Sequence, residues 1–435
     1  MSGPVDNAVS KIKDNLYEGI FDWDVTHGEL IDNNHKISDL TPQQRNEVIS
    51  KLSDDELKHW TGEIDGWNGP LTASERQDLY NKLAEGLDGK QLTRLVKAFD
   101  GNPGGREALG DAVAMYASSD AKVAFIAATK GSINGDYKAT QGRDGNAETV
   151  VLAKVLGSLS NDPTAFNNAV KSLSESQLKA VMTVGLGRNY VADYTGMRAG
   201  TTFFEPSATL GILDAATKSN DPEVKGRVFE AATEQFDLVD GSAVDGPLRD
   251  AMTKLVQSDP NGLVNELQTR TDPTGKSLVA YTQKMLEAGK KTELQNLLVQ
   301  LQQGNDGKGN AYQNFSNPDV ARNVGFFAGA TAAAINNISD NAQARGDLLK
   351  NIFGTGFGAA GAYNFPVGVV ASVGNGLTSV VIDDIVDGVK NGNKDLKQAM
   401  YELAIPRGPD GKINMAGTGY DAFNASFAAV AEVNR

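Results

Sequence analysis

Residues 21–32 read FDWDVTHGELID and bring four acids, a histidine and a tryptophan together in a chain with three histidines in all. These are the side-chain types of a metal or catalytic site: His27 and His35 could ligate a divalent ion with Asp22 or Asp24. The same letters also spell a helix start. Thr26 and Glu29 stand three apart, the spacing of a capping box in which the hydroxyl accepts from one backbone amide and the carboxylate from the other. Val25 and Leu30 occupy the flanking staple positions. The pattern recurs at Thr41 and Gln44, Ser53 and Glu56, Thr72 and Glu75, and Ser174 and Gln177. Nothing in the spacing holds the histidines on one face, so punctuation is the preferred reading. Helices are expected to begin within two residues of Thr26, Ser53, Thr72 and Ser174.

A second candidate is DGNPGGREALGD, residues 100–111. Asp100, Asn102, Gly105 and Asp111 fall at calcium-loop spacing, which makes Asp100, Asn102 and Asp111 the candidate metal ligands. Pro103 and Gly104 stand where such a loop flexes or ligates, and Asp111 replaces the bidentate glutamate. An ordinary helix stop and restart is preferred. No cofactor is expected, calcium being the one metal the spacing admits. Asp144, Asn146 and Glu148 repeat the theme, with Asn146 read as a helix cap. Tyr190, Tyr194, Phe203 and Phe204 would form a recognition surface or, in the preferred reading, anchor a long loop.

Other chemistry is sparse. There is no nucleophile elbow, zincin motif, phosphate loop or dinucleotide fingerprint after a predicted strand. A Ser-His-Asp triad would have to use His27, His35 or His59, all near the start. Among 55 acids no pair stands out for glycoside chemistry, and no catalytic residue is assigned.

Composition narrows the setting. A net charge of −14 argues against nucleic acid or anionic lipid as an electrostatic partner, since both need basic surface. The chain has no cysteine, which removes disulfides, thiolate metal sites and a cysteine nucleophile. The opening MSGPVDNAVSKIKD lacks an apolar stretch, so no Sec-type signal is expected. No apolar run of about 20 residues suggests an ordinary transmembrane helix. Export would need a dedicated machine.

The elements that must position any site are helical. Leu79, Leu83 and Leu87 recur every four residues, and Leu92, Leu95, Val96 and Phe99 form the next apolar face. β-branched residues rarely alternate with polar ones, so the expected class is all-α. SNDP at 160–163 and 219–222, and SDP at 258–260, each mark a tight turn into a new helix, with MYASSDAKVAFIA as a degenerate copy. Such hairpins bury their faces only against neighbours, which predicts an irregular superhelical array of helical hairpins. We divide the chain into an N-terminal helical cap region (1–70), the array (71–301) and a Gly-rich, small-residue helical C-terminal domain (319–435). Gly-rich loops at 131–148 and 187–206 interrupt the array, and a third, 302–318, reads as a hinge between the array and the C-terminal part. The stretch 353–386, FGTGFGAAGAYNFPVGVVASVGNGLTSVVIDDIV, suits either a buried hairpin or, through its small residues, close helix association in lipid.

FDWDVTHGEL and LSDDELKHWTGEIDGWNGPLTASERQDLYNKLAEGLDGKQLTRLVKAF resemble the N-terminal helical region of polymorphic bacterial toxins and type VI secretion effectors of Gram-negative bacteria. TDPTGKSLVAYTQKMLEAGKKTELQNLLVQLQQGN and ARNVGFFAGATAAAINNI resemble a later block of that region. The opening is also similar to the start of type VI-secreted muramidases. The resemblance covers residues 20–100 and 270–338 and carries over no catalytic residue. It implies a secreted antibacterial effector or the delivery scaffold of a toxin, made in the cytoplasm and exported by a specialised system. The implied partners are secretion machinery or a spike protein, and a cognate immunity protein. A variable toxic domain usually follows the GFFAGA-like block, and the residues after 340 show no nuclease or protease signature. The C-terminal part is then a candidate for acting on a membrane. The alternatives are a muramidase-like peptidoglycan hydrolase and a non-enzymatic, harpin-like interaction protein.

Overall fold

The computed structural model describes residues 3–17, 25–64, 71–99, 103–133, 147–186, 188–190, 201–203, 206–304, 311–353, 379–407, 412–413 and 417–433. These residues form an all-α protein of two compact units, Met1–Asn220 and Asp221–Arg435. The division falls inside the 71–301 segment, at the helix start made by Asp221 and Pro222.

The first unit runs α1 (Pro4–Tyr17), α2 (His27–Ser38), α3 (Pro42–Lys51), α4 (Asp54–Ile64), α5 (Ala73–Gly86), α6 (Gly89–Ala98), α7 (Pro103–Tyr116), α8 (Ser119–Thr129), α9 (Ala147–Gly157), α10 (Pro163–Ser172), α11 (Glu175–Leu186) and α12 (Pro206–Lys218). All five capping boxes form. Thr26, Thr41 and Thr72 each exchange hydrogen bonds with the residue three later. Ser53 pairs in the same way with Glu56, and Ser174 with Gln177. The Asp-Pro turns act as read: Asp162 caps α10 through the Ala165 amide, and Pro163 takes the first helical position.

Helices pack in two rows, α3–α5–α7–α9–α12 and α4–α6–α8–α10, each helix resting on the next in its row. The rows follow from the apolar stripes. Leu79, Leu83, Leu92, Leu95, Val96 and Phe99 are all buried, and Tyr80 meets Phe99 edge-on at 5.5 Å. Residues of the 1–70 region belong to this stack, since α2 and α3 pack on α5, and α4 on α6. Long polar side chains satisfy the carbonyls left over at helix ends. Buried Arg45 donates to the Leu40 and Lys82 carbonyls and pairs with Glu85. Arg94 donates to the carbonyls of Ile49 and Leu52. The one sheet among the described residues is a pair of three-residue antiparallel strands, β1 (Arg188–Tyr190) and β2 (Thr201–Phe203), with Arg188 opposite Phe203.

The second unit comprises α13 (Pro222–Thr233), α14 (Phe236–Val239), α15 (Asp245–Ser258), α16 (Pro260–Glu266) with a π-helical turn at Leu267–Thr271, α17 (Lys276–Glu287), α18 (Lys291–Gln303), α19 (Ala311–Asn314), α20 (Pro318–Ile338), α21 (Ala342–Phe353), α22 (Ser379–Lys390), α23 (Leu396–Ala404) and α24 (Thr418–Ala431). Its axis is α20. Every residue from Val320 to Ile335 except Arg322 is buried, so this helix needs partners on all sides. It takes them from before and after itself: α16, α17 and α18 on one hand, α21, α23 and α24 on the other. The described residues of 319–435 therefore share one core with residues that precede them.

Small residues set the closest approach. Gly325 and Gly329 lie against the backbones of Phe423 and Phe427 in α24, where a side chain on either would strike a carbonyl oxygen. Two glutamines of α18, seven residues apart, then tie the later helices down. Gln295 Nε2 donates to the Ile352 carbonyl at 2.7 Å, and Gln302 Nε2 to the Ala404 carbonyl at 3.0 Å. Each occupies a C-terminal carbonyl that its own helix leaves open.

Candidate functional site

A cleft of about 880 Å³ in the second unit lies along α23 and the start of α24. Asp395 caps α23 by accepting from the Gln398 amide at 2.7 Å, which puts Lys397, Gln398, Tyr401 and Glu402 on or beside the cleft wall. Tyr401 stands on an aromatic base supplied by α24, with ring centroids 5.3 Å from Phe423 and 5.0 Å from Phe427. Tyr420 meets it edge-on at 6.5 Å, and both tyrosines line the cleft. Burial raises the Tyr401 phenol above its usual pKa, with Tyr420 and Glu432 adding to the effect. The far wall is the bridge between Arg407 and Ile413, with Lys412 beside it. Glu402 is held by Lys394 at 2.6 Å. A smaller cleft of about 470 Å³ shares Asp395 and Lys397 with the first and reaches Asn336, Asn337, Asp340, Arg345 and Glu432. This is an aromatic floor bordered by amides and paired charges, which suits binding and orientation.

The residues singled out in the sequence lie elsewhere. His27 is exposed and faces Glu75 at 3.1 Å, and His59 pairs with Glu63 at 3.4 Å and meets Tyr17 edge-on. His35 is exposed in the last turn of α2. Each histidine thus has its own surroundings, and two have a single carboxylate neighbour. Asp22, Asp24, Asp100, Asn102, Asp144, Asn146, Tyr194 and Phe204 lie outside the described residues. Asp111 sits inside α7 with its carboxylate 2.8 Å from Lys154 Nζ, a fixed cation where a metal would compete. Among the described residues no group of three or more His, Asp or Glu could hold a metal ion. Tyr190 and Phe203 belong to the two short strands.

Asp111 and Lys154 line a groove of about 760 Å³ in the first unit, walled by α5, α7, α9 and α12. Met115 and Tyr116, at its rim, are 72% and 46% exposed, high for such apolar side chains.

The α23 cleft escaped the sequence reading because its residues come from separated turns. One signal was available. Tyr420, Phe423 and Phe427 follow a helical spacing of three and four, which places an aromatic stripe on α24. No helix among the described residues is long and apolar enough to cross a membrane. No protein-family model matches the chain, and no curated protein matches it.

Proposed function

We propose that this chain is the helical delivery body of a secreted antibacterial effector, working through binding to secretion machinery or a spike protein and not through covalent chemistry of its own. The observation that supports this reading best is the integration of the C-terminal part. Helices α21 to α24 complete the core around α20 and are tied to α18 through Gln295 and Gln302. A toxic domain carried as separate cargo would bring its own core. The described end of the 353–386 stretch points the same way: α22 buries Ile382, Ile385, Val386 and Val389 and packs on α21, while Asp383 pairs with Lys350 at 2.9 Å. Its apolar face is already occupied, which favours the hairpin over the lipid reading for that helix.

Fusion and expression test the proposal together. A reporter enzyme fused to this chain should reach the medium from a strain with a contracting type VI apparatus and stay inside a strain without one. The chain alone, expressed in the periplasm of a Gram-negative host, should leave growth, membrane potential and wall integrity unchanged. Release of peptidoglycan fragments would replace this reading with the hydrolase, and early depolarisation would replace it with a membrane-acting effector.

A further inference from the structure

We propose that the paired clefts along α23 bind a neutral oligosaccharide chain, with Tyr420 and Tyr401 as the stacking surface. The inference stands on the α23 groove alone and does not depend on the delivery reading.

Shape comes first. Each cleft has the volume of a small-molecule site, about 880 and 470 Å³, and the two share Asp395 and Lys397. A ligand following both is elongated and larger than one sugar ring. The two tyrosine rings, 73° apart in orientation, form a corner at one end of this path. Aromatic rings offer a flat apolar face with a hydroxyl at the edge, which matches a pyranose, whose one face is lined by C–H groups and whose rim carries hydroxyls.

Charge decides between ligand classes. The charged side chains here are already committed to one another or to backbone. Lys394 holds Glu402 at 2.6 Å, Lys397 meets Glu432 at 3.6 Å, and Arg345 meets Asp340 at 3.5 Å. Asp395 caps α23, and Arg407 and Lys412 are also engaged within the protein. An anionic or cationic ligand would meet a counter-charge already beside each of these groups, which weakens recognition by charge. A polyol need not: ion pairs still offer unused donors and acceptors at their edges, and hydroxyls both donate and accept. The amides of Gln398, Asn336 and Asn337, exposed or half-exposed along the path, add donor–acceptor pairs of the kind vicinal hydroxyls match. An extended peptide would instead look for an open strand edge or alternating side-chain pockets, and this groove offers helix α23 on one side and only the single bridge between Arg407 and Ile413 on the other.

Calorimetric titration of the full chain is the test, with neutral tetramers of N-acetylglucosamine and of glucose in both linkages as probes. A sulfated tetramer, an uncharged peptide of equal mass and the monosaccharides serve as comparisons. At least one neutral tetramer should bind saturably and more tightly than its monosaccharide, with an affinity unchanged from low salt to about 0.5 M. Tyr420→Ala should weaken it by at least about tenfold at a temperature where the variant remains fully folded by circular dichroism. Gln398→Ala, an exposed change that leaves the aromatic packing intact, should weaken it several-fold. Tyr401 is a poor probe because it packs on Phe423 and Phe427. Absence of saturable binding by every neutral tetramer would overturn the proposal. So would preference for the sulfated tetramer or the peptide, or full binding by Tyr420→Ala.

Discussion

Gly329 in α20 lies directly on the backbone of Phe427 in α24: a methyl group there would stand 2.7 Å from the Phe427 carbonyl oxygen and 3.2 Å from its Cα. Those are backbone atoms on the buried face of α24, so neither can swing aside. Gly329→Ala should therefore destabilise the second unit by about 1–3 kcal/mol despite alanine's better helix propensity. Gly62, inside α4, faces open space, and Gly62→Ala should stabilise the first unit by up to about 1 kcal/mol. Urea unfolding of the two variants checks both signs. Equal effects would remove the packing argument.

Gln302 is a buried side chain whose amide satisfies the Ala404 carbonyl. Gln302→Leu keeps the apolar bulk and removes the donor, leaving that carbonyl without its bond. Because the substitution also removes Gln302 Oε1, which is buried without a hydrogen-bond partner, part of the cost is offset and the expected loss is about 1 kcal/mol. Hydrogen exchange should show it as faster opening of α23. Unchanged protection there would mean that α23 is held by its apolar face alone.

The first unit should respond to acid through its capping boxes. The Glu75 carboxylate accepts from the Thr72 amide and hydroxyl and faces His27, which lowers its pKa from 4.5 to about 2. Because the folded-state value is depressed, ionised Glu75 stabilises the fold fully above pH 4.5 and progressively less as the pH falls towards 2. Glu75→Gln preserves a neutral box of the kind Thr41 and Gln44 already form. The difference in urea midpoint between parent and variant should be present at pH 6 and fade over that range. A difference independent of pH would show that the charge is not what matters.

Asp259 closes the third Asp-Pro turn by accepting from the Gly262 amide at 3.0 Å. Asp259→Ala should cost about 1 kcal/mol, the usual penalty for a lost N-cap. Thermal unfolding would register it as a lowered midpoint. A neutral outcome would mean that Pro260 alone sets the start of α16.

Helix starts were legible in the sequence because a capping box is local: Thr26 and Glu29, or Ser174 and Gln177, need only three residues and a backbone. The Asp-Pro turns at Asp162, Asp221 and Asp259 were legible for the same reason, and the all-α class followed from leucine spacing within single helices. The histidines could be weighed but not placed, since Glu75 is distant in sequence from His27 and only folding brings the two to 3.1 Å. Tertiary structure alone decided that GFFAGATAAAINNI is the buried axis of a unit. Small residues permit close packing in either water or lipid, and the sequence names no partner until Phe423 and Phe427 arrive against Gly325 and Gly329. It also decided the cleft. Tyr401 and Tyr420 belong to different helices, and α23 is itself tied at its end by Gln302, a contact between residues 102 positions apart. Pairings across such distances carry no local signature, because the free energy that selects them comes from burial of the whole unit and not from the neighbours of either residue.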